Sequence, residues 1–423
     1  MQVDQCATHF MPHQVKSEMV NFKHNNSKFF YFGIVLVIFI SGSWIVDAGS
    51  GSTKAALYLL TFFWALAYLQ VKKRITISAT QKKNMLLLLA SFALVSTLNG
   101  GGLQIDEVNL LFKITTAGIL AVIFSYYSHS FYEHFSRVIY FTTIVGLIFH
   151  LFVVISPDLV IPIPDFLYQS NNKFVSFLYY NYYQPGSFSR NQLFFWEPGC
   201  YSFFLNIALI FDLFICVNYR RIPVLLAGII STLSLGGFFI AILIFIAKYA
   251  SRRNKYKILF VSALAVFVIF NNLLIKFASS ISSILFSRPL GADESFLTRM
   301  VDVYLPIQAA SASPFVGFGL NKIDAFLTLG QETNLTSQNI ITNSISMLIY
   351  SYGFMIALLF LALLYRSTFL KATGSRIMIF PIFILMLMHE PLLFSPFVLL
   401  LILMPDIAEI NQQANYYRQS RKI

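Results

Sequence analysis

Charged residues are scarce in this sequence. They make up 11% of its 423 residues, whereas hydrophobic residues make up 57%. A soluble globular protein carries about 25% charged residues, which it needs to cover its core with polar surface. The scarcity of charge therefore argues against a soluble fold of this length. A lipid bilayer is the solvent that suits the composition, and each crossing needs about 20 mostly apolar residues.

Cysteines are few, and motifs for metals or nucleotides are missing. The sequence has three cysteines, too few for a disulfide framework. Cys200 and Cys216 lie on one apolar segment, about 24 Å apart at 1.5 Å per residue, which is too far for a disulfide. There is no P-loop, and the seven histidines show neither H-x-x-H nor H-E-x-x-H spacing. We therefore expect no bound metal, no cofactor and no ATP on this chain.

Apolar residues are gathered into twelve segments. They cover about residues 29–47, 55–71, 85–98, 109–126, 138–155, 199–217, 222–234, 237–250, 257–277, 339–364, 377–389 and 392–406. Backbone polar groups inside a bilayer must be satisfied within the element, so the segments predict helices. The predicted fold is an all-α polytopic membrane protein, residues 1–423 in a single integral membrane domain with about 12 transmembrane helices. Residues 234–237 predict either a tight outer turn or a break within the membrane.

Lysine and arginine are distributed unevenly between the two sides of the predicted bundle. With the N-terminus in the cytoplasm, 22 of the 30 fall in inner segments, as the positive-inside rule requires. This predicts cytoplasmic tails at residues 1–28 and 407–423 and large periplasmic loops at 156–198 and 278–338. Residues 1–28 lack an apolar core and predict no cleavable signal. The topology also accounts for the net charge of +12 without nucleic acid as a partner.

The first predicted loop ends in Arg190–Gly199, with the sequence RNQLFFWEPG. Pro198 suits the first turn of a helix, and Trp196 suits the membrane interface. Glu197 lies where the helix dipole favours an anion. One interpretation is simply a well-formed helix start. The other is a carboxylate, Glu197, held at the outer face beside Arg190 as a general base or orienting group.

The second predicted loop contains Arg288 and Arg299 together with three acids, Asp293, Glu294 and Asp302. One interpretation is that the arginines pair with these acids. The other is anion capture, because the guanidinium fork matches phosphate oxygens in a bidentate way and stays charged. Both interpretations are open at this point.

Two further polar positions lie at the outer ends of predicted helices. Asn343 opens the apolar segment 339–364, and His389 belongs to the last outer turn, His389-Glu390-Pro391. Intramembrane polar residues usually face the interior of the bundle. Asn343 is therefore interpreted as an interhelical hydrogen-bonding group or as a substrate-binding group. His389 is interpreted as part of a solvated turn or as a substrate-binding group.

Four segments together resemble a known family. The segment Arg190–Gly199 resembles the arginine–FWEPG signature of Wzy-type polysaccharide polymerases, in the O-antigen polymerase and ligase superfamily of Gram-negative envelopes. TLSLGG at 232–237, PFVGFG at 314–319 and the N-x(9)-G spacing from Asn343 to Gly353 are similar to further family motifs, in the same order. The motifs cover about residues 185–365, and the rest of the chain is similar only in its topology.

This resemblance implies an enzyme on the periplasmic face of the inner membrane. The growing glycan leaves undecaprenyl pyrophosphate and is transferred to the sugar of a new unit carried on the same lipid. Pyrophosphate is a good leaving group, so the implied reaction needs neither metal nor nucleotide. A flippase and a chain-length regulator are the implied partners. The implied site residues are Glu197 and Arg190 as catalytic residues and Arg288, Arg299, Trp196, Asn343 and His389 as substrate-binding residues.

Two alternatives stand beside the polymerase. Ligases of the superfamily, which move finished glycan to lipid A core, carry a histidine where this chain has Thr342, so the sequence favours a polymerase. A secondary transporter or a flippase for lipid-linked oligosaccharide is an alternative of a different class. Transporters often show internal repeats and charges at the membrane midplane. We find no clear repeat in this sequence, and the candidate site charges, Arg190, Glu197, Arg288 and Arg299, lie at the predicted outer rim.

Overall fold

The structure is a computed structural model. It describes residues 27–43, 51–71, 78–99, 105–125, 128–155, 174–175, 181–182, 190–251, 303, 305–320, 326–328 and 343–404. The predicted C-terminal tail, nearly all of the predicted N-terminal tail, the apolar segment 257–277 and most of the two predicted loops lie outside the described residues. Arg288 and Arg299, together with the three acids of the second loop, also lie outside them.

Helices dominate the described part of the chain. They are α1 Ser27–Gly42, α2 Gly51–Val71, α3 Ala79–Leu98, α4 Ile105–Ser125, α5 Ser128–Ile155, α6 Pro198–Ile210 continued by a π-helical turn Phe211–Ile215, α7 Ile222–Ser231, α8 Leu235–Ala250, α9 Ser344–Arg366, α10 Thr368–Ala372, α11 Arg376–His389 and α12 Pro396–Leu403. Two short strands, β1 Phe174–Val175 and β2 Asn181–Tyr182, pair antiparallel. Eleven of the twelve predicted apolar segments coincide with helices, which confirms the all-α prediction.

Four helical stretches in the described residues are long and apolar enough to cross a membrane. They are Ile105–Phe124, Phe131–Phe152, Pro198–Ile215 and Ser344–Ala372. Shorter apolar helices accompany them, such as Leu235–Ala250 and Arg376–His389. The described part of the chain is thus nearly all α-helical, with helices suited to a membrane. The number of crossings and their direction stay predictions.

Large apolar side chains are exposed along these helices. Helix α5 exposes Phe141, Ile148, Leu151 and Phe152, each between 49% and 59%. In water such a surface would drive aggregation, whereas in lipid it needs no cover. The exposed apolar surface therefore agrees with a protein embedded in a membrane.

The chain divides into two compact units. Unit 1 comprises Met1–Lys73 and Tyr127–Leu233, and unit 2 comprises Arg74–Tyr126 and Ser234–Ile423. In unit 1, α1 packs against α2 and α5, and α5, α6 and α7 pack against one another. Every residue of α6 is buried, so this helix forms the centre of unit 1. Pro198 at its first position supplies a fixed φ and leaves no N–H unpaired.

Unit 2 is built around α9. This helix packs against α3, α11 and α12, while α4 packs against α3 and α12, and α8 packs against α11. Side-chain caps define several helix starts, since the hydroxyls of Ser78, Ser234 and Ser395 accept backbone N–H groups in the first turns of α3, α8 and α12. The predicted turn or break at 234–237 is a short connection, with α7 ending at Ser231 and α8 beginning at Leu235.

Candidate functional site

The segment 190–197 is fixed to the ends of two helices in unit 1. The Asn191 backbone N–H donates to the Ser231 carbonyl, and its side-chain Nδ2 donates to the Ser231 hydroxyl, both at 3.0 Å. At its other end the segment forms a β-bridge between Phe195 and Ser43, and the Trp196 N–H donates to the Gly42 carbonyl at 3.2 Å. The segment therefore joins the end of α7 to the end of α1.

The two phenylalanines of this segment are core residues. Phe194 and Phe195 are 8% and 0% exposed. Phe194 stacks on Phe39 of α1, and Phe195 stacks on Phe204 of α6, with ring centroids 4.5 and 4.9 Å apart. Such aromatic pairs each contribute roughly 0.5–1.5 kcal/mol beyond their buried area. This part of the signature therefore has a structural role and holds the start of α6 in place.

Arg190 is exposed, yet its guanidinium is anchored. Its Nε donates to the Thr232 carbonyl at 3.1 Å, and its Nη2 donates to the Leu233 carbonyl at 3.4 Å. These carbonyls follow the last turn of α7, where the helix dipole favours a cation. Arg190 is thus both a cap for the end of α7 and a positive charge whose orientation is fixed by the backbone.

Glu197 is the N-cap residue of α6, in extended conformation with φ −151° and ψ 160°. The predicted helix start at Pro198 is therefore confirmed. The half-buried Glu197 side chain makes no capping hydrogen bond. Its Oε1 instead accepts from the Trp196 indole Nε1 at 3.3 Å. Since the carboxylate does not cap the helix, a well-formed helix start does not by itself explain why this position holds a glutamate.

Two motifs that lie far apart in the sequence form one structure in unit 2. Helix α9 is broken at Gly353, which has φ 78° and ψ 170°, and residues 314–319 dock into the break. The Phe318 N–H donates to the Tyr350 carbonyl and the Gly319 N–H donates to the Ser351 carbonyl, both at 2.9 Å. The Phe354 N–H donates to the Pro314 carbonyl at 2.8 Å. The predicted P-x-x-G-x-G segment thus satisfies backbone groups that the broken helix cannot pair internally.

Side chains fix the shape of this docked segment. The Ser313 hydroxyl donates to the Gly317 carbonyl at 2.9 Å. With its amide oriented to satisfy both groups, Asn99 at the end of α3 donates to the Gly317 carbonyl and accepts from the Gly319 N–H, at 3.2 Å each. Gly317 has φ +70°, and a Cβ atom there would lie 2.6 Å from backbone atoms of α9. The segment therefore needs glycine at 317 because of both its conformation and its close approach.

Asn343 joins α9 to α11. Its Oδ1 accepts from the N–H groups of Ile345 and Ser346, at 3.0 and 2.9 Å, and its Nδ2 donates to the Met388 carbonyl at 2.9 Å. The side chain is an N-cap for α9 and a clamp on the last turn of α11. The interpretation of Asn343 as an interhelical hydrogen-bonding group is confirmed, and a substrate-binding role stays a prediction.

We expect Asn343→Ala to lower the free energy of unfolding by about 2 kcal/mol, because it removes both an N-cap and an interhelical hydrogen bond. Asn343→Asp keeps the capping oxygen and loses only the donor to Met388, so its cost is expected to be about half as large. Equilibrium unfolding of the purified protein in detergent measures both values. Equal costs for the two variants would contradict the division between cap and clamp.

The turn after α11 is buried at Glu390 and exposed at Pro391. Glu390 is only 1% exposed, so the interpretation of this turn as a solvated loop is wrong at that residue. The physical reason is that Ser344, at the start of α9, holds the turn by two hydrogen bonds. Its hydroxyl donates to the Glu390 carbonyl and accepts from the Leu393 N–H, the second bond at 3.1 Å. His389 is 22% exposed, and its Nε2 lies 3.7 Å from the Glu390 carboxylate.

Two contacts of His389 were not predictable from the sequence. The Ser234 hydroxyl lies 3.4 Å from its Nε2, and its imidazole lies against Gly236, so closely that a Cβ at 236 would be 2.3 Å from Cε1. Ser234 and Gly236 belong to the TLSLGG segment, which is 155 residues away from His389.

A charged cluster in unit 1 was likewise not predictable from the sequence. The buried Asp212, in the π-helical turn after α6, pairs with Arg221 at 3.3 Å. Arg221 also lies 3.7 Å from Glu133, which pairs with Arg137 at 2.7 Å. Breaking one partner of a buried pair is costly because it leaves an uncompensated charge. These charges link α5, α6 and the start of α7.

The predicted site residues fall into two groups. Arg190, Trp196 and Glu197 belong to one ordered segment of unit 1, while Asn343 and His389 are brought together in unit 2 through the last turn of α11. In the part of the chain that the structure describes, no three His, Cys, Asp or Glu side chains are grouped as metal ligands. No protein-family model, no curated protein and no solved structure matches the chain.

Proposed function

We propose that this protein is a Wzy-type polymerase of lipid-linked oligosaccharide repeat units. It transfers the growing glycan from undecaprenyl pyrophosphate to a new unit on the same lipid carrier, in the synthesis of O-antigen, capsule or exopolysaccharide. In this proposal it is a glycosyltransferase that uses neither metal nor nucleotide.

One observation carries the proposal, namely the state of Arg190. Its guanidinium is exposed and is oriented by two backbone carbonyls at the end of α7. Arginine stays charged and matches the oxygens of a phosphate group. A fixed, accessible guanidinium at a helix end of a membrane protein suits the pyrophosphate of a lipid carrier, whose charge grows as the glycan leaves.

The docking of residues 314–319 into the break of α9 supports the same proposal. Discontinuous helices expose backbone groups that must be satisfied by neighbouring protein or by ligand. Here the third and fourth family-like motifs satisfy one another through three backbone hydrogen bonds. In unit 2, residues 314–319 and the helix that follows Asn343 thus form one supported structure.

The proposal includes a membrane topology. We propose about twelve crossings, both termini in the cytoplasm and two large periplasmic loops in the cell inner membrane. The uneven distribution of lysine and arginine supports this orientation. The helix ends that carry Arg190, Glu197, Asn343 and His389 then all belong to the periplasmic side, where lipid-linked repeat units are presented.

The residues have distinct proposed roles. Arg190, with Arg288 and Arg299, binds the pyrophosphate or an anionic sugar, and Glu197 orients the substrate or acts as a base. Trp196, Asn343 and His389 contribute to sugar binding, Trp196 by stacking on a sugar ring. Undecaprenyl-pyrophosphate-linked oligosaccharide is the substrate, and a flippase and a chain-length regulator are the proposed partners.

Deletion of the gene tests the proposal against its alternatives. A strain that lacks a polymerase is expected to keep surface lipid carrying a single repeat unit, because ligation still occurs. A strain that lacks a ligase loses all such caps, and loss of a flippase leaves repeat units on the cytoplasmic side of the membrane. Gel electrophoresis of the surface glycolipid distinguishes one-unit caps from none, and loss of all caps contradicts the proposal.

A further inference from the structure

We infer that His389 accepts the proton of the acceptor hydroxyl, with Glu390, Ser234 and Gly236 as its positioning residues. This inference rests on the proposed function and deepens it, because the resemblance leaves the base unassigned. Glu197 then keeps the orienting role alone. Four observations on unit 2 carry the inference: the contact of the ring with Gly236, the hydroxyl at Nε2, the buried carboxylate beside it and the clamp on the last turn of α11.

Gly236 determines where the imidazole lies. A Cβ atom at position 236 would be 2.3 Å from Cε1, 2.4 Å from Nε2 and 2.7 Å from Nδ1 of His389. The ring therefore lies directly on the backbone at the start of α8, where only glycine leaves room for it. A ring held in this way has little rotational freedom, which a general base needs for a well-defined proton transfer.

The Nε2 atom of His389 is placed to receive a proton from a hydroxyl. The Ser234 hydroxyl lies 3.4 Å from Nε2 and also accepts from the Gly237 N–H at 3.3 Å. Because its oxygen accepts there, its hydrogen can point to Nε2, which acts as the acceptor in the neutral ring. The distance is long for a hydrogen bond, so a hydroxyl of a sugar can replace Ser234 at Nε2.

Glu390 stabilises the product of the proton transfer. Its carboxylate Oε1 lies 3.7 Å from Nε2, and the side chain is 1% exposed. A carboxylate in a poorly hydrated position favours the imidazolium over the neutral ring. The starts of α8 and α9 also lie against this turn. The residues that they place there are Ser234, Asn343 and Ser344, and none of these titrates. Among the described residues, Glu390 is therefore the charged group that we assign to His389.

The main-chain clamp completes the arrangement. The Asn343 amide holds the Met388 carbonyl at 2.9 Å, and the Ser344 hydroxyl holds the Glu390 carbonyl. His389 lies between these two bonds and keeps 22% of its side chain exposed. The residue is thus fixed at its backbone and at its ring, with part of its side chain exposed.

The proposed step is balanced. The acceptor hydroxyl oxygen forms a bond to the anomeric carbon of the growing glycan, and the bond from that carbon to the pyrophosphate oxygen breaks. The electron pair of the broken bond leaves with undecaprenyl pyrophosphate. The hydroxyl proton moves to Nε2 of His389, and the imidazolium later returns it to water.

The test measures initial rates of chain elongation by the full-length protein in liposomes, with a purified undecaprenyl-pyrophosphate-linked repeat unit, from pH 5 to pH 9. The native protein is expected to lose activity on the acid side of this range, because a protonated base cannot accept the hydroxyl proton. His389→Gln is expected to lower kcat by about 100-fold or more with little change in KM, and to abolish the acid limb. His150→Gln, a histidine of unit 1, is the matched control and is expected to behave like the native protein.

Two further variants keep the histidine and alter its setting. Glu390→Gln is expected to lower kcat and to move the acid limb to lower pH, because the imidazolium loses its carboxylate. Gly236→Ala displaces the ring and is expected to lower kcat at unchanged KM. A melting curve in detergent is recorded for each variant, so that loss of folding is recognised directly. If His389→Gln unfolds, Glu390→Gln and Gly236→Ala still test whether His389 accepts the proton.

The outcomes separate this inference from the proposed function. A His389→Gln protein with native rate and native pH profile overturns the inference, as does a loss confined to KM, which indicates sugar binding only. In both cases elongation by the native protein leaves the polymerase proposal standing. No elongation by the native protein, under conditions in which it is folded, instead overturns the polymerase proposal and the inference with it.

Discussion

Replacing Arg190 with alanine is expected to abolish chain elongation, with a loss of about 100-fold or more in rate. Fixed positive or hydrogen-bonding groups aimed at developing charge typically contribute 10²–10³, and Arg190 is such a group if it binds the pyrophosphate. Arg190→Lys is expected to keep a fraction of the activity, because it retains the charge and loses the planar fork. The length distribution of surface polysaccharide on a gel, from cells carrying each variant, measures both.

The capping bonds of Arg190 require a separate control. The alanine variant also removes the donors to the Thr232 and Leu233 carbonyls, so lost activity has a structural explanation as well. Arg190→Gln keeps an amide donor for the carbonyls without the charge, and we expect it to melt near the native temperature while remaining inactive. Arg220→Ala, at an exposed arginine of the same unit, is expected to change nothing. A native ladder from Arg190→Ala would refute the role of Arg190 in the reaction.

Replacing Gly353 with alanine is expected to prevent unit 2 from folding stably. With φ 78° and ψ 170°, the residue lies in a backbone region that is open essentially to glycine, at a cost of roughly 1–3 kcal/mol for other residues. A Cβ atom there would also lie 2.6 Å from the backbone carbonyl of Phe315. Since backbone atoms cannot move aside cheaply, we expect a total cost above about 4 kcal/mol, which is a large part of the stability of a typical domain.

Gly374 provides a matched control for this variant. It also has a positive φ, of +64°, but a Cβ atom there would meet nothing within 4 Å. Gly374→Ala therefore reports the backbone strain alone, about 1–2 kcal/mol. The two variants are compared by their levels in the membrane and by melting in detergent. A Gly353→Ala protein as stable as Gly374→Ala would show that residues 314–319 do not dock into α9 as described.

Hydropathy was sufficient to predict the helices but not their irregularities. The segment 339–364 is apolar enough to predict a span, and its structure is α9 over Ser344–Arg366. The break inside it depends on residues 314–319, because their N–H groups take over the Tyr350 and Ser351 carbonyls. The mean hydropathy of a stretch of sequence contains no information on a packing partner elsewhere in the chain. Asn343 and Gly353 attracted notice only through a spacing that resembles a family motif.

The candidate site was predicted residue by residue but not contact by contact. Chemistry alone drew attention to Arg190 and Glu197, and the start of α6 at Pro198 followed from local rules. The capping of α7 by Arg190 and the burial of Glu390 were not predictable, since each depends on a partner more than 40 residues away. From the sequence alone, a polar residue such as Glu390 beside a proline is expected to be solvated. Its burial becomes understandable only with the hydrogen bond from the Ser344 hydroxyl to the Glu390 carbonyl.

The most direct test of the central proposal is chain elongation by the purified protein alone. The protein is placed in liposomes with an undecaprenyl-pyrophosphate-linked repeat unit, in EDTA and without nucleotide, and the products are separated by length. We predict a ladder of multiples of the repeat unit, with release of undecaprenyl pyrophosphate in step with each addition, and no ladder from Arg190→Ala. The proposal would be contradicted if no product longer than one unit formed, whether the substrate crossed the membrane or stayed unchanged.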